Sequence, residues 1–266
     1  MKYSKRIVCF FDILGFKNLI IDSSKNPAII NKIHELLAWT KQIQCQHPYE
    51  TKASGIFDPT GTVCYGKFNP KISAEMSFFS DSVILSYGLD KPRDDIMDLN
   101  EVFWRIANIL FDFVCSGFFV RGGIAYGDIY HDGNICFGPA LVEAANLESK
   151  TIYPRIAFSP NFFDKTSKDS PLHIFKELEN TQPFKNNLYH IKDRFYCEYI
   201  DGTPYFDFLD PCLSANGIAA IRRIKQIIQD ELHKPYNEHI MQKYLWFKEY
   251  YNATVYNTLG YDEKIE

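Results

Sequence analysis

A single carboxylate set in an apolar strand constrains this chain most. Val8-Cys9-Phe10-Phe11-Asp12-Ile13-Leu14-Gly15-Phe16 opens as a continuous apolar run, as a buried strand does, with Asp12 inside it and Gly15 three residues on. An ionised Asp in such a place costs several kcal/mol unless something positive sits on it. Two readings are open from these residues alone. Asp12 holds a metal ion at a strand end beside a turn, or it caps the helix that follows the strand.

The bulk numbers narrow the setting. With 266 residues, 46% hydrophobic and 23% charged, the chain has material for a sizeable core and for one large domain or a domain with an appendage. A net charge of -4 argues against a general binder of nucleic acid or membrane surface, since those present a basic face. The apolar segment after Met1–Arg6 is broken at Asp12, which does not fit a signal peptide, and no apolar run approaches membrane-spanning length. Cys9, Cys45, Cys64, Cys115, Cys136, Cys197 and Cys212 are scattered without a CxxC pair. They read as reduced thiols of a cytoplasmic protein. The histidines are equally dispersed and no HExxH occurs, so any metal is expected on oxygen ligands.

After the opening strand, Lys17–Asp22 reads as a short helix. Ser23-Ser24-Lys25-Asn26-Pro27 is a helix start, with the helix running to about Gln46. Residues 47–71 read as a loop with a short strand near Val63-Cys64-Tyr65. Glu75–Tyr87 reads as a hairpin with Asp81 at its Ser-Asp-Ser tip, where an Asx turn is the plain alternative. Pro92–Ser116 is a long helix ended by Gly117. Phe118–Tyr130 is a strand broken by Gly122, Gly123 and Gly127 and carrying Arg121; glycines there allow a bulge or close backbone approach. A short strand over Ile135–Gly138, a helix over Pro139–Ser149 and a strand over Arg155–Ser159 follow. A short helix is expected near 172–179. Two aromatic strands around Asp201-Gly202 form a hairpin, and two helices over about 213–233 and 236–257 close the chain. The fold class is therefore α+β, a mixed, mainly antiparallel sheet with helices on one face, lacking the regular βαβ alternation of a doubly wound fold. Residues 1–210 are expected to form the main domain and residues 211–266 a helical extension packed on it.

Three features stand together: Asp12 before a Gly-Phe turn and a helix, Asp81 at a hairpin tip, and a glycine-broken strand with Arg121 leading to Phe137-Gly138 and a small-residue helix. Two carboxylates on neighbouring strand ends can hold two divalent cations, and a glycine turn into a helix offers free N–H groups to phosphates. That is apparatus for phosphoryl chemistry with two metals.

The chain here resembles the class III nucleotidyl cyclases over about residues 6–160. Phe11-Asp12-Ile13-Leu14-Gly15-Phe16 matches their FxDIxGF motif, and Ser80-Asp81-Ser82 falls where they carry Gly-Asp. Val120–Asp128 looks like their RxGIxxG strand, and Phe137-Gly138 to Asn146 like their WGxxVNxAxR segment. The resemblance implies that Asp12, the Ile13 carbonyl and Asp81 hold two Mn²⁺ or Mg²⁺ ions. It implies that the Leu14, Gly15 and Phe16 N–H groups, beside Phe11, take a triphosphate. Lys17 adds charge, unless it is a solvated first-turn lysine. Arg121 faces phosphate or pairs with a buried acid such as Asp128.

The departures from that family matter as much. Its base-reading positions are here Ser77 and Ile135, and its transition-state Asn and Arg positions are Val142 and Asn146. Asn146 is the candidate replacement donor, with Glu143 beside it a further one. The variant form FDILGF, FSDS, RGGIAYGD, FGPALVEA, PRI is similar to the pyrimidine cyclases of bacterial Pycsar antiphage systems. This implies conversion of UTP, or alternatively CTP, into the 3′,5′-cyclic monophosphate in a homodimer with sites at its interface. The product acts on a separate effector. A purine cyclase is disfavoured by the absence of Lys, Glu, Asp or Cys at the base positions. A non-catalytic nucleotide sensor of the same fold is the reading from another class.

Overall fold

The computed structural model describes residues 2–45, 72–88, 97–164, 166–173, 195–198, 204–258, 260 and 262–266. The elements in chain order are β1 (Ser4–Ile13), α1 (Phe16–Ser23), α2 (Pro27–Cys45), β2 (Ser73–Phe79), β3 (Ser82–Gly88), α3 (Met97–Cys115), β4 (Val120–His131), β5 (Cys136–Phe137), α4 (Pro139–Lys150), β6 (Ile156–Phe158), β7 (Tyr196–Glu198), β8 (Pro204–Phe206), α5 (Leu209–Leu232) and α6 (Glu238–Asn252). The strand expected near Val63-Cys64-Tyr65, most of the helix expected near 172–179, and the Asp201-Gly202 turn lie outside the described residues.

The strands form one sheet in the order β2-β3-β1-β4-β6-β8-β7, with β5 paired to β4 off that path. Every pairing is antiparallel except β4 with β6. The fold is thus mixed α+β with a mainly antiparallel sheet. β1 lies inside it, flanked by β3 and β4 over most of its length. That satisfies its backbone and explains why the sequence there is apolar.

The period-two pleat sorts side chains between the two faces. Ile7, Cys9, Phe11 and Ile13 enter the large core, with Leu36 of α2, Phe103 and Phe113 of α3, Ile221, Ile224 and Ile228 of α5, and Phe247 and Tyr251 of α6. Val8 points the other way, into a small cluster with Ala125, Ile129, Ala140 and Ala144 under α4. Among the described residues most helices therefore cover one face, and α4 occupies the other.

The glycine-broken strand explains how α4 comes so close. A Cβ on Gly123 would lie 2.5 Å from both the Ala144 carbonyl oxygen and Leu147 Cβ. The bare backbone of β4 is thus the seat of the helix, matched by Ala140 and Ala144, which are buried. The helix N-termini follow local chemistry. The Asn26 side chain accepts the Ala28 N–H at 3.1 Å ahead of α2, and Asn237 accepts the Ile240 N–H at 3.0 Å ahead of α6. The C-terminal helices share the large core with the sheet, and their break falls at Lys234-Pro235 as expected. Cys9, Cys115, Cys136, Cys197 and Cys212 are free thiols. No helix among the described residues is long and apolar enough to cross a membrane.

Candidate functional site

Asp12 lies on the α4 face, opposite Ser82 of β3 on one side and Arg121 of β4 on the other. The β2–β3 hairpin reaches β1 at this point. Its turn is Ser80-Asp81, with Ser80 held at φ 57, and the Asp81 carbonyl accepts the Ile13 N–H at 3.1 Å. A non-glycine residue in that left-handed region is strained by about 1–2 kcal/mol. The turn delivers the Asp81 carboxyl to Asp12, within side-chain hydrogen-bonding reach. Burial and this neighbour push Asp12 up to about 7; Arg121 pulls the other way and Glu148 adds to the rise. Asp12 Oδ1 is buried without a hydrogen-bond partner.

Arg121 holds the other side of the group. Its guanidinium stands 3.4 Å from Asp12 Oδ2 and 2.8 Å from Glu148 Oε1, and donates to the Thr151 carbonyl at 3.3 Å. The partner expected from sequence, Asp128, is instead exposed and sits opposite Lys5. Asp128 is seven residues from Arg121 along one strand, so the pleat places the two side chains on opposite faces. Glu148 escaped the sequence reading because it arrives from α4. Its nearness to Asp12 follows from the tight seating of that helix over Gly123.

Beyond Ile13 the chain turns through Gly15 at φ 76 and enters α1. That left-handed conformation suits glycine. Two expectations are corrected here. Leu14 N–H is spent on the Phe119 carbonyl at 2.9 Å and is not free for a phosphate. Phe11 is fully buried and packs edge-on against Phe113 at 5.2 Å, so it is core and not substrate contact. The Gly15 and Phe16 amides have no backbone acceptor among the described residues. The Phe16 side chain is buried and anchors α1, and Lys17 is exposed beside this turn.

Ser77 and Ile135 come together at the far side of the same sheet face. Ser77 Oγ contacts the Gly133 carbonyl at 3.3 Å, in the turn where the Ile135 N–H donates to Asp132 Oδ1 at 2.8 Å. Ile135, in the same turn, is 57% exposed. Sequence gave no sign of what lies behind Ser77. His131 Nε2 is 2.9 Å from Ser77 Oγ, His131 Nδ1 is 2.8 Å from Ser86 Oγ, and Arg6 Nε donates to Ser86 Oγ at 2.9 Å. With Ser77 donating to Gly133, the consistent pattern is an Nε2–H tautomer that accepts from Ser86 and donates to Ser77. Burial and Arg6 hold His131 down to about 4, so it is neutral.

Asn146 does not join this group. It is exposed on α4, two positions before Glu148 and so roughly 200° around the helix from it. Within one chain Asn146 lies on a different side of α4 from Glu148, away from Asp12. Val142, one turn earlier, is 60% exposed.

The donor set suits a hard divalent cation. Two carboxylates converge, one oxygen is buried without a partner, and the pair repels itself when both are ionised. No cluster of three or more His, Cys, Asp or Glu side chains that could hold a metal occurs among the described residues. Backbone oxygen and substrate phosphate would have to complete the shell, which is ordinary for Mg²⁺.

No family model matches the chain, and no curated protein matches it. Among solved structures it is similar to the adenylyl cyclase CyaB from P. aeruginosa, with TM-score 0.42 and 12% identity over 77% of this chain and 92% of that one. It is also similar to the guanylyl cyclase Cya2, with TM-score 0.38 and 10% identity over 78% of this chain and 93% of that one. At these values neither neighbour carries a functional argument for this chain.

Proposed function

We propose that the chain is a nucleotidyl cyclase that converts UTP into 3′,5′-cyclic UMP and pyrophosphate. The observation that carries the reading is the convergence of Asp12 and Asp81 at the end of a buried strand, beside the Gly15 turn. The order of the four motifs in the sequence supports the same reaction. Asp12, Asp81 and the Ile13 carbonyl would hold two Mg²⁺ or Mn²⁺ ions. Such ions supply activation of the ribose hydroxyl and neutralisation of phosphate charge.

In the reaction the ribose O3′ bonds to the α-phosphorus, the bond from that phosphorus to the bridging oxygen breaks, and the hydroxyl proton is released. The residues of the chain position the reactants. The Gly15 and Phe16 amides bind phosphate oxygens, with Lys17 adding positive charge nearby. Arg121, clamped by Glu148, holds Asp12 in place and tempers the repulsion between the two aspartates. Ser77 and Ile135 meet the base. A hydroxyl and an exposed aliphatic side chain, in place of an acidic or basic reader, suit a pyrimidine; CTP is the alternative substrate.

The chain would act as a homodimer. Phe79, two residues before Asp81, is 79% exposed, and Ile135 and Val142 are exposed as well. Exposed apolar groups of this kind suit burial against a second copy. In that arrangement Asn146 would serve the partner's site. The cyclic product would then signal to a separate effector in antiphage defence, as the sequence resemblance implies.

The test is product formation from UTP with Mn²⁺ by the purified chain, followed by chromatography. Cyclic UMP should appear with the wild type and vanish in Asp12→Ala and Asp81→Ala. A product that survives both substitutions would overturn the assignment of the metal site.

A further inference from the structure

The C-terminal helices bring an unassigned cation to this site. A cavity of about 710 Å³ runs between α1 and the α5–α6 hairpin. Leu14, Gly15 and Asn18 form one wall, and Tyr236, Lys243 and Tyr244 the other. Its lining therefore includes the Gly15 turn that follows Asp12.

Lys243 is half-buried there and carries no ion pair or hydrogen bond among the described residues. Its neighbours on the hairpin differ. Lys234 pairs with Glu231, and Lys225 and Arg222 both pair with Glu263. Lys243 instead lies within electrostatic range of Arg121 and Asp12. Burial and Arg121 lower its pKa, and Asp12 raises it in part. The cavity wall also carries Asp22 and Glu231, the latter paired to Lys234, so Lys243 is an ammonium without an ion pair among the described residues and within electrostatic range of Arg121, a place where an anion would satisfy it. Gly15, whose amide has no backbone acceptor among the described residues, lines the same cavity as Lys243.

We propose that Lys243 is a substrate-binding residue, its ammonium taking the β- or γ-phosphate of the nucleoside triphosphate from the cavity wall opposite Gly15. This makes the α5–α6 hairpin part of the active site, contributed by the same chain as Asp12. The inference rests on the cyclase reading above. Lysine suits the role as a compact point charge on a flexible stem.

The test uses the full-length chain and the α,β-methylene analogue of UTP, which binds without turnover. Affinity is measured by calorimetry with Mg²⁺ for the wild type, Lys243→Met, Lys243→Arg and the control Lys248→Met. Loss of one charge-assisted contact predicts weakening by about tenfold in Lys243→Met. Lys243→Arg recovers most of the loss, Lys248→Met binds as wild type, and affinity for UMP is unchanged in all four. Thermal melting confirms that each variant is folded, and the Arg variant keeps the test open if the Met variant is not. Wild-type affinity in Lys243→Met, or equal weakening for UMP and the triphosphate analogue, overturns the inference and leaves the cyclase reading standing. Absence of any triphosphate binding by the wild type overturns both.

Discussion

Asp12 is expensive to the fold, and its cost is what identifies it. Its carboxyl meets Asp81 in a part-buried site and is pushed up to about 7, with Arg121 as the near cation at 3.4 Å. Replacing Asp12 by Asn removes the repulsion while keeping the shape. In the absence of metal, Asp12→Asn should therefore be more stable than wild type at pH 8, by about 1–2 kcal/mol in urea unfolding. If the proposed metal site is right, the same variant should lose at least about a thousandfold in cyclisation, because one of its two carboxylates is gone. Lower stability together with retained turnover would mean that Asp12 is a structural acid paired to Arg121. This residue was legible from sequence because a carboxylate inside an apolar strand has few explanations. Glu148 and His131 were not legible, because each acquires its role from a contact across the fold: Glu148 from α4 reaching Arg121, His131 from β3 and β2 flanking its ring.

At the scale of elements, two joints hold the site in register. The first is α4 on β4. A Gly123→Ala methyl would collide with the backbone of α4 at Ala144, and the helix cannot yield without moving Glu148. The expected loss is about 2–3 kcal/mol of stability, with a marked fall in turnover, read by thermal melting and product assay. The second joint is the chain of hydrogen bonds from Arg6 through Ser86 and His131 to Ser77, which ties β1, β3, β4 and β2 together. His131 titrates near 6.5 when unfolded and near 4 when folded. The unfolded chain therefore binds the proton first as pH falls, and the stability that His131 contributes above 6.5 is lost progressively towards 4. Asp12 and Asp207, whose pKa values are raised to about 7 and about 6, slope the opposite way over the neighbouring range. The difference between wild type and His131→Gln isolates the histidine. The wild type's advantage in urea midpoint should shrink between pH 7 and pH 5. An advantage that is flat with pH would mean that the ring takes up its proton over the same range folded as unfolded. The hairpin, the long α3 and the glycine-broken strand were all readable from periodicity and turn residues. That α4 sits on the second face was not, because the small residues that seat it look neutral until they are paired with Gly123.

Across the whole molecule, a single large core joins the sheet to both ends of the chain. Trp246 of α6 packs on Tyr153 and Tyr205, and the Arg155 guanidinium lies about 6.0 Å from the rings of Tyr153 and Tyr205 and 5.8 Å from that of Trp246. The C-terminal helices are thereby fastened to β6 and β8, next to the strand that carries Arg121. From sequence they read as an appendage beyond the motif-bearing region. Their bearing on the site depends on a long-range contact that no local pattern encodes. The motifs brought Asp12, Asp81 and the Gly15 turn together, whereas the base end is proposed at Ser77 and Ile135, positions that follow no familiar reader. The most direct measurement is therefore incubation of the purified chain with ATP, GTP, CTP and UTP separately, with Mn²⁺, and identification of every product by mass. The account predicts cyclic UMP and pyrophosphate in equal amounts from UTP and little or no cyclic product from either purine nucleotide. Tight binding of a nucleotide with no cyclic product from any of the four would contradict it.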